Sequence, residues 1–272
     1  PWPAREEEVA MAISLDTLVR KRADKPPRLL IYGVPKIGKT SFAAEFPAPI
    51  FIQTEEGAGD LDVTTFSEQP LGSFDEVCQA IEALYTGEHG FETVVLDSLD
   101  WLEPLVWRET CAQNKWASIE APGYGRGYVE ADKHWRFVLD GLNALRERGM
   151  SVVLIAHSMV KTHQDPTTEA YDRYEIKLHK RASAMVVETV DVIGFLNYSV
   201  AAAKEEQGAN KGRVRGTGSG QRVLFLDERP AFIAGSRFET PSQLPLHRGQ
   251  MFGALAPYLP VHRDRTAVET AQ

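Results

Sequence analysis

The sequence predicts an α/β fold: a mostly parallel central sheet with helices on both faces and a C-terminal antiparallel hairpin extension. Three observations predict it. Apolar, β-branched-rich runs recur at 29–33, 50–53, 92–97, 151–157, 190–196 and 222–226. Most intervals between the earlier runs hold helix-like segments, the rhythm of strand–helix–strand units. Runs such as Thr93-Val94-Val95-Leu96 and Val152-Val153-Leu154-Ile155-Ala156 are apolar at consecutive positions, so both faces of those strands need a cover of helices. A chain of 272 residues, 43% hydrophobic and 25% charged, can bury such a core as one domain with a peripheral extension.

Residues 1–27 read as an N-terminal extension. Pro1 to Glu8 show no periodicity, and the first ten residues read as a processing remnant or an extension packing on a neighbour, while an amphipathic stretch runs from Ile13 to Arg20. The main domain is expected over 28–246. Its first strand, Leu29-Leu30-Ile31-Tyr32, runs into Gly33-Val34-Pro35-Lys36-Ile37-Gly38-Lys39-Thr40-Ser41, and helix formers follow from Phe42. Those residues match Gly-x4-Gly-Lys-Thr at every position. A strand, a glycine-rich turn and a helix start aim backbone N–H groups, a helix dipole and one ammonium at a single point, which suits a polyphosphate. The expected ligand is ATP with Mg²⁺: Gly33 and Gly38 let the backbone curl, Lys39 reaches the β- and γ-phosphates, and the Thr40 hydroxyl ligates the metal.

The second run ends at Gln53, and Glu55-Glu56 follow at the same sheet edge. Hydrolysis needs a carboxylate aligned on an in-line water, so Glu55 is the first candidate and Glu56 the second. A solvated acidic turn before Gly57 and Gly59 is the alternative. After Ser73, the spacing of Phe74, Val77, Ile81 and Leu84 predicts a helix. The third run ends in Asp97, placed to hold Mg²⁺ through its water shell, and Asp100 reads as a helix N-terminal residue favoured by the dipole. Trp135, Val138, Leu139, Leu142 and Leu145 predict the next helix. The fourth run ends in His157, where a neutral histidine can donate to the γ-phosphate or to water, or simply satisfy its own hydrogen bonds. Before the last run, Gly216 to Gly220 suggest a mobile hairpin. Of its cations, Lys211, Arg213, Arg215 and Arg222, the last is the choice for a finger reaching a neighbouring subunit's γ-phosphate.

Composition bounds the setting. Only Cys78 and Cys111 are present, so two free thiols and no structural zinc are expected. No apolar stretch is long enough to span a bilayer, and no secretory signal precedes the first strand, so a cytoplasmic protein without a membrane partner is expected. A net charge of −8 argues against wide non-specific wrapping of nucleic acid but allows a locally basic loop. Residues 247–272 read as a C-terminal tail, whose final twenty residues look disordered and are a candidate docking peptide for a single-strand-binding protein.

Taken in order, Gly33 to Ser41, Phe51-Ile52-Gln53-Thr54-Glu55, Val95-Leu96-Asp97-Ser98-Leu99 and Leu154-Ile155-Ala156-His157 resemble the core of RecA-type recombinases. The likeness is closer still to phage-encoded RecA-like proteins, the Sak-group single-strand annealing recombinases. There Gly-Val-Pro-Lys-x-Gly-Lys-Thr recurs with stretches like Gly123 to Tyr128, Tyr171-Asp172-Arg173-Tyr174 and Glu228-Arg229-Pro230-Ala231-Phe232. The resemblance spans about 28–246. It implies Glu55 as the catalytic glutamate, Asp97 as the Mg²⁺-associated acid, and His157 where RecA has a γ-phosphate-sensing glutamine, a departure from the pattern. It also implies a homo-oligomer, ring or filament, that binds single-stranded DNA through loops after the acid-bearing strand and the sensor strand. Two polar stretches fall there. Lys115, Trp116, Tyr124, Arg126 and Tyr128 interleave cations with rings; Lys161, His163, Arg173, Tyr174, Lys177, His179, Lys180 and Arg181 supply the second set. The alternative is that the tyrosines pack on the domain and the lysines are solvated.

The function expected is therefore an ATP-hydrolysing, DNA-stimulated protein of phage recombination or annealing. A helicase loader or helicase-like motor shares the same core. A P-loop kinase or metabolic NTPase would need an acceptor pocket and a basic lid, for which 159–181 could serve; a nucleotide-gated binding module would follow if Glu55 were misplaced.

Overall fold

The computed structural model describes residues 25–57, 59–164, 169–204 and 214–260. The N-terminal extension before residue 25, Lys211, Arg213 and the last twelve residues lie outside the described residues, as does the side chain of Arg215.

The elements, in order, are β1 (Arg28–Gly33), α1 (Lys39–Ala44), β2 (Pro49–Gln53), β3 (Thr64–Thr65), α2 (Phe74–Thr86), β4 (Thr93–Asp97), α3 (Leu99–Asn114), α4 (Arg126–Glu147), β5 (Ser151–His163), β6 (Tyr171–Ile176), α5 (Lys180–Thr189), β7 (Val192–Lys204), β8 (Val214–Phe225), β9 (Gly235–Ser236), β10 (Gln243–Leu246) and α6 (Met251–Leu255). The main path of the sheet runs β10-β8-β7-β1-β5-β4-β2-β3. From β3 to β7 neighbouring strands are parallel, whereas β8 and β10 are antiparallel to their neighbours.

Alternation along the parallel strands sorts the core. Leu30, Tyr32, Ile50, Ile52, Val94, Leu96, Val152 and Leu154 face one way, under α2, α3, α4 and α5, whose inner faces supply Ile81, Leu102, Trp135, Leu142 and Val186. Leu29, Ile31, Phe51, Val95, Val153 and Ile155 face the other way, against Phe42, Phe46, Met251 and Leu255 of the α1 and α6 region. Strands with apolar residues on both faces thus receive a helical layer on each. The Tyr32 hydroxyl donates to Ile233 O at 2.7 Å and accepts from Ile233 N at 3.0 Å, so a buried polar tip is satisfied within the core.

Two regions differ from what periodicity suggests. Much of the polar stretch 159–181 is a β-hairpin, in which β5 runs on past the sheet and pairs antiparallel with β6 from Ser158↔Ile176 to His163↔Tyr171. One face of β6 packs on the core through Tyr174 and the buried Ile176, while Lys161, Thr162 and Asp172 are exposed, so the hairpin needs few apolar residues. Past residue 246 the chain forms α6, whose start is capped by Glu45: its carboxylate accepts from the amides of Gly249, Met251 and Phe252. No helix among the described residues is long and apolar enough to cross a membrane.

Candidate functional site

The β1–α1 connection carries a left-handed residue at Lys36 (φ 61°) and another at Gly38 (φ 105°), the second being the N-cap of α1. Only a glycine adopts the latter without strain. Gly33 is equally constrained, because a Cβ there would stand 2.2 Å from Leu196 O of the neighbouring strand. Lys39 is 6% exposed, and its ammonium donates to Val34 O at 3.2 Å and to Gly33 O at 3.4 Å. Burial lowers its pKa against the opposing attraction of Asp97, Asp100 and Glu55. A desolvated ammonium held by two loop carbonyls, at the start of α1, is a strong anion trap.

Parallel pairing brings the ends of β1, β5, β4 and β2 to one edge, and this edge borders a cavity of about 540 Å³ lined by the loop, Glu55, Glu56, Gly57, Asp97, His157 and Arg248. Inside it, Thr40 Oγ1 donates to Asp97 Oδ2 at 2.8 Å. Asp97 is 2% exposed; burial pushes its pKa up to about 6, although the Thr40 hydrogen bond pulls the other way. The Asp97–Ser98 peptide bond is cis. A Cβ at Gly57 would come within 3.4 Å of Asp97 Oδ2 and 3.6 Å of Thr40 Oγ1, so glycine keeps the space beside this pair open. A hydroxyl and a carboxylate with room for water form an all-oxygen donor set that fits Mg²⁺.

His157, opposite Gly33 in the β1–β5 register, has its Nδ1 3.0 Å from Asp100 Oδ2 and 3.8 Å from Glu55 Oε1. Asp100 is the second residue of α3, as read from the sequence, but it also accepts from the His157 amide at 3.0 Å and lies 3.6 Å from Lys177 Nζ. Burial would raise the Asp100 carboxyl; the hydrogen bonds from His157 outweigh it and hold the group below its ordinary value. The pairing of Asp100 with His157 and the presence of Arg248 at the cavity went unread in the sequence. Asp100 offered a faint signal, three residues beyond Asp97. Arg248 offered none.

Arg222 packs against its own chain's loop, its Nε 3.5 Å from where a Cβ on Gly38 would stand. That Nε is buried without a hydrogen-bond partner. Within the chain this position follows from β8 pairing with β7 and β7 flanking β1, which brings Arg222 beside the phosphate loop.

The expected nucleic-acid residues divide by environment. Tyr124 is fully exposed at φ 51°, between Gly123 and Gly125, both at φ 69°. Lys115, Arg126, Lys161, Lys177, Lys180 and Arg181 are exposed around it and along the hairpin and α5; Lys161 is 3.7 Å from Glu175, and Arg181 pairs with Asp132. Tyr128 instead packs inward, stacked on His179 at 4.0 Å and edge-on to Trp107 at 5.5 Å, its hydroxyl donating to Glu120. Arg173 is 8% exposed, bonded to Glu228 and to Phe232 O, and so is withdrawn from the surface set: its cation serves the fold.

A glycine-rich phosphate loop, a hydroxyl–carboxylate pair across adjacent strand ends, and β5 inserted between the loop strand and the acid strand define a P-loop NTPase of the RecA-like class. The chain belongs to the AAA domain family AAA_24, whose model matches residues 25–238. No curated protein matches it in sequence. Solved structures similar to it include the RadB recombinase (15% identity, 81% of this chain and 87% of that chain, TM-score 0.45). A KaiC-like protein of Pyrococcus horikoshii OT3 is another (13%, 83% and 87%, 0.39), as is the flagellar accessory protein FlaH of Methanocaldococcus jannaschii (8%, 82% and 86%, 0.43).

Proposed function

We propose that this protein is a Mg²⁺-dependent ATPase that binds single-stranded DNA, self-assembles, and promotes phage homologous recombination or strand annealing in the host cytoplasm. The observation that carries the nucleotide half is the 2.8 Å Thr40–Asp97 hydrogen bond beside the buried Lys39. Lys39 moves from its loop carbonyls to the β- and γ-phosphates. Thr40 and Asp97 are the residues that would hold Mg²⁺, which would supply charge neutralisation at the phosphates. Glu55, at the same edge, orients the attacking water, with Glu56 as its runner-up. The Gly33–Ser41 backbone cradles the phosphates and adds no reorganisation during reaction.

The nucleic-acid half is supported by Tyr124 standing clear of the surface, with Lys115 and Arg126 nearby in sequence, and by the exposed lysines of the β5–β6 hairpin and α5. A ring free to stack and exposed cations, among them Lys161 and Lys177 that also face Glu175 and Asp100, bind a single strand without reading its sequence.

The test is the ATPase rate with and without single-stranded DNA at two salt concentrations, beside Lys39→Ala. Stimulation that fades with salt is expected, together with a loss of about a hundredfold or more in Lys39→Ala as the phosphate contact is removed. A rate indifferent to DNA but dependent on a small molecule would favour the kinase or metabolic reading, and strand displacement would favour the helicase-like motor.

A further inference from the structure

Asp100 has a side chain only 2% exposed, yet it accepts two donors from one residue: the His157 amide at 3.0 Å and the His157 ring through Nδ1, at 3.0 and 3.2 Å. An ionised carboxylate can only accept, so Nδ1 must carry the proton. The other ring nitrogen, Nε2, makes no hydrogen bond among the described residues, and His157 lines the cavity. The structure also ties this pair to the hairpin: Lys177 N donates to His157 O at 2.9 Å, and its ammonium lies 3.6 Å from Asp100.

We propose that Asp100 is a positioning residue that holds His157 in the Nδ1–H tautomer, so that the neutral ring offers the Nε2 lone pair to the reacting centre. The inference rests on the reading of the cavity as an ATP site. Its consequence is a change of role for His157. A neutral ring whose only N–H is given to Asp100 cannot donate to the γ-phosphate. It accepts instead from the attacking water, beside Glu55, so the water is held by two acceptors and its lone pair is left for the phosphorus. The carboxylate acts through the ring and touches neither water nor nucleotide.

The experiment has two arms on the full chain. In the first, ¹⁵N-histidine NMR of the wild type without nucleotide, at a pH of about 9, above the ordinary histidine range, is assigned with His157→Gln. A protonated Nδ1 and a bare Nε2 are expected; a protonated Nε2 would overturn the inference. Because no ATP is present, this result stands whether or not the protein proves to be an ATPase. In the second arm, Asp100→Asn is expected to lower kcat about tenfold with KM nearly unchanged, since a charge-assisted hydrogen bond to a catalytic group is lost. The same substitution in the His157→Gln background is expected to change nothing more. A further tenfold loss there would show that Asp100 does not act through His157 and would sink the positioning role. Circular dichroism on each variant reports folding, and the wild-type spectrum needs no variant beyond its assignment control.

Discussion

Glu103 illustrates how one side chain reports its surroundings. It sits on α3, 7% exposed, and accepts from the His179 amide at 3.0 and 3.1 Å. Burial pushes its carboxyl from the ordinary 4.5 up to about 7, against the pull of that hydrogen bond. Between these values the folded chain holds a proton that the unfolded chain has released, so stability falls as pH rises through this window. Glu103→Gln keeps an acceptor for His179 and removes the charge. The variant is expected to exceed the wild type in stability by roughly 1–3 kcal/mol at pH 8, with the difference shrinking towards pH 5; urea unfolding at the two pH values measures it. A stability difference between the two proteins that does not grow from pH 5 to pH 8 would contradict the assignment. At this scale the phosphate loop was legible in the sequence, since Gly33, Gly38, Lys39 and Thr40 are contiguous and their roles are local. The inward turn of Arg173 was not, because its partner Glu228 lies 55 residues away.

At the scale of elements, the turn between α3 and α4 is a rigid mount. Gly127 in the first turn of α4 approaches so closely that a Cβ would meet Ile119 O at 1.9 Å, and the Tyr128–His179 stack pins the helix start to the N-cap of α5. Tyr124 is thereby held out at the tip, away from the nucleotide cavity. Tyr124→Ala is expected to weaken single-stranded DNA binding by about fivefold or more while leaving ATP binding unchanged, measured by fluorescence anisotropy with labelled oligonucleotide and nucleotide. Equal affinity in the variant would remove this turn from the interface. Helices α2 and α4 and the parallel strands were readable from apolar spacing. The β5–β6 hairpin was not, because its buried positions include the charged Arg173 beside Ile176 and so show no apolar alternation.

At the scale of the whole molecule, the sheet sets which cations stand beside the phosphate loop of their own chain. Arg222 meets its own phosphate loop through the path β8-β7-β1. If it acts within its chain, mixing Arg222→Ala with Lys39→Ala subunits restores no ATPase activity. Recovery towards a quarter to a half of the wild-type rate would instead establish a finger acting between subunits, since mixed assemblies then contain sites with every group intact. The lower edge of the sheet has its own clamp: Asp191 meets the Arg28, Arg146 and Arg237 guanidiniums at 2.8, 3.4 and 3.1 Å, joining the starts of β1 and β7.

The sequence by itself determined the six strands β1, β2, β4, β5, β7 and β8, the helices α2 and α4, the phosphate loop, and the candidate acids at the strand ends. Each of these depends on residues close together in the chain, where period and spacing carry the information. Only the tertiary structure decided that Asp100 grips His157, that Arg222 faces its own loop, that Arg248 joins the cavity and that Arg173 is spent on the fold. Those contacts join segments tens of residues apart through strand pairing that no local pattern encodes: parallel β4 and β5 for Asp100 and His157, and the antiparallel strands β6, β8 and β10 for the arginines.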